Sequence, residues 1–162
     1  MRNEFRIRNI KDSDLNDVLS IFNYYVKNGF AAYPEKEVDI TFFRNIKQNT
    51  HFFYVLELKA RIIGFAFLKN YLPYENFKHI GQITYFLNHK YTNKGFGTLI
   101  LNKLIKDAKE HGIFILLANL SSLNQQSLKF HENHGFVECG RFKNIAKKFN
   151  QDFDIIWMQR NL

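Results

Sequence analysis

The stretch from residue 83 to residue 120 restricts the possible folds more than any other part of the chain. An apolar, β-prone run at 83–87 leads through a basic turn into Gly95-Phe96-Gly97. It continues as a helix in which Leu99, Ile100, Leu101, Leu104, Ile105 and Ala108 recur at core spacing. The helix stops at His111-Gly112, where glycine suits the left-handed backbone common after a helix end. The run 113–120 then reads as a continuous apolar strand, of the kind buried on both faces of a sheet.

The flanking sequence extends the same plan. Phe5 and Ile7 alternate with Arg6 and Arg8 as in a half-buried strand, and Asp12 to Asp17 supplies caps and acids for a helix carrying Leu15, Val18, Leu19, Ile21, Phe22 and Tyr25. Asn28-Gly29 closes that helix. A loop at 30–37 contains Pro34, and 38–46 has a shorter helical pattern. Residues 52–58 and 62–68 form two β-rich runs around a charged turn, an antiparallel hairpin, with Gly64 inside the second run marking a bulge, a close backbone approach or plain packing. After an aromatic loop at 70–78 and the segment already described come a helix at about 124–133 and strands near 136–142 and 153–160. Helices interleaved with mostly sequential strands indicate an α/β or α+β sandwich around a central sheet.

At 162 residues this is one core of ordinary size, and residues 1–162 read as a single domain. The first twelve residues are charged from the second onward, and no run reaches the length of a membrane span, so the chain is expected to be soluble, cytoplasmic and without a membrane partner. The single cysteine, Cys139, excludes an internal disulfide and any zinc knuckle and is expected to be an inert buried thiol. A formal net charge of +8 attracts polyanions in general. The lysines are scattered, however, without a basic run or an aromatic-basic repeat, so no specific nucleic-acid module is indicated.

Chemistry concentrates at the Gly-x-Gly turn. Two glycines between strand and helix let the backbone come close to a ligand, while the free amides and positive dipole end of the helix favour phosphate. Pyrophosphate is a natural guest, although a tight turn with no ligand has the same sequence. The Rossmann fingerprint fails for want of its third glycine, and the P-loop fails for want of Gly-Lys-Ser/Thr.

The order of strand, basic Gly-x-Gly turn, helix ending at Gly112, buried strand, Asn124, Ser127, His131-Glu132 and Gly135-Phe136 resembles the GNAT acyltransferases over essentially the whole chain. Asn-x-x-Ser followed by His-Glu-x-x-Gly-Phe, Lys148-Phe149 with Asp154, and the ending Met158-Gln159 are similar to the phosphinothricin acetyltransferase branch. The resemblance implies a GNAT fold: a mixed, largely antiparallel sheet with helices on both faces and a splayed strand cleft for acyl-coenzyme A. It implies acetyl-coenzyme A as cosubstrate, no metal, direct attack by the primary amine of an amino acid or amino-acid-like small molecule, and a homodimer. Phe86 and Leu87 would pair with the pantetheine arm, amides of Asn93, Lys94, Gly95, Phe96, Gly97 and Thr98 would wrap the pyrophosphate, and Asn124 and Ser127 would lie along the pantetheine. His131 would protonate the departing thiolate, and the Leu87 amide would polarise the thioester oxygen. Phe30, Tyr74, Phe77 and His79 would border the acceptor. On the residues alone, His131 also reads as a helix residue satisfied by hydrogen bonds, and Asn124 as the N-cap of its helix.

Several positions depart from that pattern. Thr92 stands where the family begins its turn with arginine or glutamine, leaving Lys94 or Lys90 to substitute. Gln82 stands where the branch has a glutamate taken as general base, and a carboxamide cannot accept the ammonium proton. His79, or water ordered by Gln82, is left as the candidate acceptor. Tyr74 replaces an arginine suited to acidic substrates, and Phe77 replaces a tyrosine, which argues against phosphinothricin itself. Two other readings stay open: a protein or peptide N-acetyltransferase using the same cofactor site, and a catalytically weakened coenzyme A-binding sensor.

Overall fold

A computed structural model describes residues 5–162. Seven strands form one sheet in the order β1-β2-β3-β4-β5-β7-β6. In chain order they are β1 (Phe5–Asn9), β2 (Phe52–Leu58), β3 (Arg61–Asn70), β4 (Ile80–Leu87), β5 (Ile115–Ser121), β6 (Val137–Lys148) and β7 (Gln151–Asn161). Every pairing is antiparallel except β4 with β5, the two strands joined through a helix. The expected mixed, largely antiparallel sheet is therefore what forms.

Four α-helices cover it: α1 (Leu15–Lys27), α2 (Ile40–Gln48), α3 (Phe96–Glu110) and α4 (Gln125–Asn133). Strand alternation divides the core between them. Leu56, Ala66, Leu68 and Ile83 pack with Ile100, Leu101, Leu104 and Ala108 of α3, and Leu128 and Phe130 of α4 join that face. Phe53, Val55, Phe65 and Phe67 pack on the other face with Leu15, Val18, Phe22 and Val26 of α1 and Phe43 of α2.

Three expectations need correction. Residues 115–120 alternate between half-buried and buried instead of being covered on both faces. The α1–α2 layer takes its core partners from β2, β3 and β4, so Leu117 and Asn119 on that side of β5 keep partial access. Cys139 is an exposed free thiol on β6. The closing hairpin is also longer than its apolar pattern suggested, because every residue of β6 from Val137 to Ile145 is exposed and none needs to be apolar. Phe149 and Asn150, both with positive φ, make its turn.

Gly64 answers to close approach. It pairs with Leu87, and a Cβ there would meet Leu87 Cδ2 at 2.5 Å and the Phe86 carbonyl oxygen at 3.0 Å. The glycine lets β3 lie tight against the end of β4, where the candidate site begins.

Candidate functional site at the parting of two strands

β4 and β5 stay in register only from Ile80↔Ile115 to Gln82↔Leu117. Beyond that point they separate. The Asn88 amide donates to Ile63 of β3 at 2.8 Å, so by alternation the amides of Ile83, Tyr85 and Leu87 face away from β3, towards the gap. The Leu87 carbonyl turns the same way and accepts the Tyr25 hydroxyl at 2.7 Å.

A continuous cavity of about 1070 Å³ fills the gap and reaches both faces of the sheet. Side-chain alternation along β4 decides which residues meet which half. Gln82, Thr84 and Phe86 share the face of Phe65 and Phe67 and look to α1 and α2, while Ile83, Tyr85 and Leu87 look to α3. The α1–α2 half is further lined by Ala31, Ala32, Tyr33, Pro34, Asn45, Phe67, Lys69 and Asn119, and the Tyr33 hydroxyl donates to Asn119 Oδ1 at 3.0 Å.

On the α3 side the wall is the turn and the start of two helices. Thr92, Asn93, Gly95, Gly97 and Thr98 line it, with Asn124, Ser127, Lys129, Phe130 and His131 from α4 and its cap. Gly95 caps α3 at φ 82°, with no heavy atom within 4 Å of a Cβ placed there, so its need is conformational. Gly97 has a different reason. A Cβ there would come within 3.2 Å of the Phe130 ring. The turn and α4 are tied by Gln126 donating to Asn93 Oδ1 at 2.9 Å. An open helix N-terminus with a lysine beside it suits a pyrophosphate group.

Two side chains of the turn are engaged elsewhere, whereas the expectation for their backbone amides is untouched. Lys94 donates back to the Lys90 carbonyl at 2.9 Å, over the Tyr91 ring, and its side chain does not line the cavity; Phe96 packs against Tyr91 and Phe5. Lys129 is the cation on this wall. Asn124 caps α4 by accepting the Ser127 amide at 3.2 Å.

His131 is 2% exposed, with both ring nitrogens engaged. Nδ1 lies 2.7 Å from the Ser127 carbonyl, which can only accept, so the proton resides there and Nε2 accepts the Tyr85 hydroxyl at 2.6 Å. Burial lowers its pKa to about 4 and holds the Tyr85 phenol well above its ordinary value. The imidazole is neutral and has no free N–H to offer a thiolate. Tyr85 carries the proton that adjoins it.

The four residues expected around the acceptor are absent from the cavity wall. Phe30 packs on Phe149 and Phe153, Phe77 on Tyr71, and Tyr74 is 64% exposed. His79 precedes β4 and is exposed, its carbonyl accepting the amides of Phe114 and Ile115, so it is no proton acceptor for this cavity. Tyr33, Lys69, Tyr85, Asn119 and Lys129 line it instead, without a motif to mark them. The one sequence signal was parity: Lys69 and Tyr85 each continue an alternating β set, and each is the polar member of it.

A family model for the acetyltransferase (GNAT) domain matches residues 7–157. The chain is 27% identical over 161 residues to an L-methionine sulfoximine/L-methionine sulfone acetyltransferase of Pseudomonas aeruginosa, covering 96% of this chain and 94% of that one. A ribosomal-protein-alanine N-acetyltransferase structure from Brucella melitensis superposes with a TM-score of 0.88 at 28% identity, covering 97% of this chain and 99% of that one. A phosphinothricin acetyltransferase from Sinorhizobium meliloti, solved in complex with acetyl-coenzyme A, has a TM-score of 0.89 at 23% identity, with coverage of 98% and 88%.

Proposed function

This chain belongs to the GNAT acetyltransferase family, and from that premise we propose that it transfers an acetyl group from acetyl-coenzyme A to the primary amine of an amino acid or a close analogue. The observation that carries the reading is the cavity passing through the sheet, with an open helix N-terminus on one side of β4 and a half-polar pocket on the other. Acetyl-coenzyme A supplies the activated acyl group, and everything else is positioning and proton handling by this chain.

The amides of Asn93 to Thr98 and the Lys129 ammonium hold the phosphates. The gap-facing amides of Tyr85 and Leu87 hold the pantetheine arm as an absent β5 would, in place of the expected Phe86, whose amide faces β3, and the Leu87 amide stabilises the carbonyl oxygen as it gains charge. Gln82 orients the amine from the α1–α2 face. No aspartate or glutamate lines the cavity among the described residues, so the amine attacks in its neutral form and gives up its remaining extra proton to water. The departing sulfur takes the Tyr85 proton from its resting hydrogen bond to His131, which fixes the position of that hydroxyl, and water returns a proton to the phenolate, which burial makes a strong base.

Thiol release from acetyl-coenzyme A in the presence of an amino-acid panel tests the activity. Tyr85→Phe is expected to lower kcat by ~10²-fold with little change in cofactor affinity, as for a group acting in the transition state. Cofactor binding by calorimetry without turnover of any amine would leave a coenzyme A-binding sensor in place of the enzyme.

The assembly reading is a homodimer built on β6. That edge strand carries Val137, Phe142 and Ile145 at 56–65% exposure, with Phe149 exposed in the turn beyond it, and a bare apolar edge is covered in solution by another chain. One sheet running through the described chain supports a single domain. The exposed free thiol fits a reducing, cytoplasmic setting.

A further inference from the structure

The cavity wall carries formal charge of one sign. Lys69 and Lys129 line it, and no carboxylate does among the described residues. Lys129 stands on α4, with the cofactor half. Lys69 belongs to the other half: it continues the alternating set Phe65, Phe67 on β3 and pairs in register with Gln82. It is exposed, and among the described residues it makes no ion pair.

Side chains directly opposite on neighbouring strands have Cβ atoms about 4.5–5.5 Å apart, so the Lys69 ammonium and the Gln82 carboxamide address one ligand over a span of a few bonds. An α-amino acid has that dimension, with its amine and its anion on a single carbon. We propose that Lys69 binds the acceptor's carboxylate and so makes this a site for acceptors whose anionic group flanks the reacting amine. The assignment rests on the acetyltransferase reading and narrows it. A cation beside the amine also disfavours the ammonium form, which matters where no carboxylate is present to accept its proton. Asn45, Asn49 and Thr50, at the end of α2 and just beyond it, give neutral hydrogen-bonding groups on the same wall and no competing charge.

The test compares an amino acid with its own carboxamide, which keeps the amine and removes the anion. In wild type the acid is the better acceptor by kcat/KM. In Lys69→Met that preference is expected to fall roughly tenfold or more through KM, the size of a lost charge-assisted contact. Lys69→Glu should invert it. Calorimetry of both ligands against protein saturated with coenzyme A reads the same preference without turnover, so an inactive preparation still decides the matter. Lack of turnover with a retained, Lys69-dependent preference for the acid would sink the acetyltransferase reading and leave the anion site standing. An acid-to-carboxamide ratio equal in wild type and Lys69→Met, by rate or by binding, overturns the site.

Discussion

His131 shows how far the surroundings of a residue govern its chemistry. Its place on a helix, seven residues after the cap Asn124, was legible from spacing, while its nearness to a thioester was only what the family resemblance implied. Its protonation was not, because that depends on Tyr85, 46 positions away along the chain. With a folded pKa near 4, against 6.5 for an ordinary imidazole, the folded state refuses a proton that the unfolded chain accepts. The stability tied to this site is therefore complete above about pH 6.5 and is lost as pH falls towards 4, amounting to roughly 3 kcal/mol for a group this buried. Denaturant midpoints measured from pH 7 to pH 4 should show that decline in wild type and a flatter profile in His131→Phe over the same window. Parallel curves would mean that the ring is charged in the folded state and that the hydrogen bond from Tyr85 is not made.

At the scale of elements, apolar pattern revealed what the core needed and little else. β2 was read at its observed bounds and β3 to within two residues at each end, because the middles of both strands are buried and only the ends of β3 are exposed. The last half of β6 gave no apolar signal, since nearly all of its residues meet solvent, and yet its final residue is among the most buried in the protein. Lys148 is fully covered, with its ammonium donating to the carbonyls of Gly29 at 2.8 Å and Ala32 at 2.7 Å. Burial lowers its pKa, and the carbonyls of the loop after α1 replace the water it has lost. That loop goes on to supply Ala31 to Pro34 to the acceptor half of the cavity. Lys148→Met would leave those carbonyls buried without donors, and a loss of about 2–4 kcal/mol in denaturant unfolding is expected. The acceptor KM should rise while affinity for acetyl-coenzyme A is kept, because the α3 side of the cavity makes no use of this loop. Equal weakening of both ligands would show that the hairpin supports the whole cavity and not one half of it.

For the molecule as a whole, the layered sheet was legible because alternation of strands and amphipathic helices leaves few arrangements that bury both. The pocket on the α1–α2 side was not, because it is assembled from β3, β4, β5, the end of α2 and the loop after α1, whose members become neighbours only once the sheet has formed. Oligomeric state belongs to this scale as well. Sedimentation should give a dimer for wild type and a monomer for Ile145→Asp, and a wild-type monomer would remove β6 as the interface. The parting of β4 from β5 has one further consequence. Since successive residues of β4 face different halves of the cavity, a substitution at 82, 84 or 86 changes the α1–α2 half, proposed for the acceptor, and leaves the α3 half, proposed for the cofactor, nearly untouched. A gene for such a strand can trade one customer for another in single steps while keeping the same supplier. By the same geometry, an insertion or deletion of one residue within β4 would exchange the two sets of side chains and destroy both sites at once, so its descendants can vary in composition far more freely than in length.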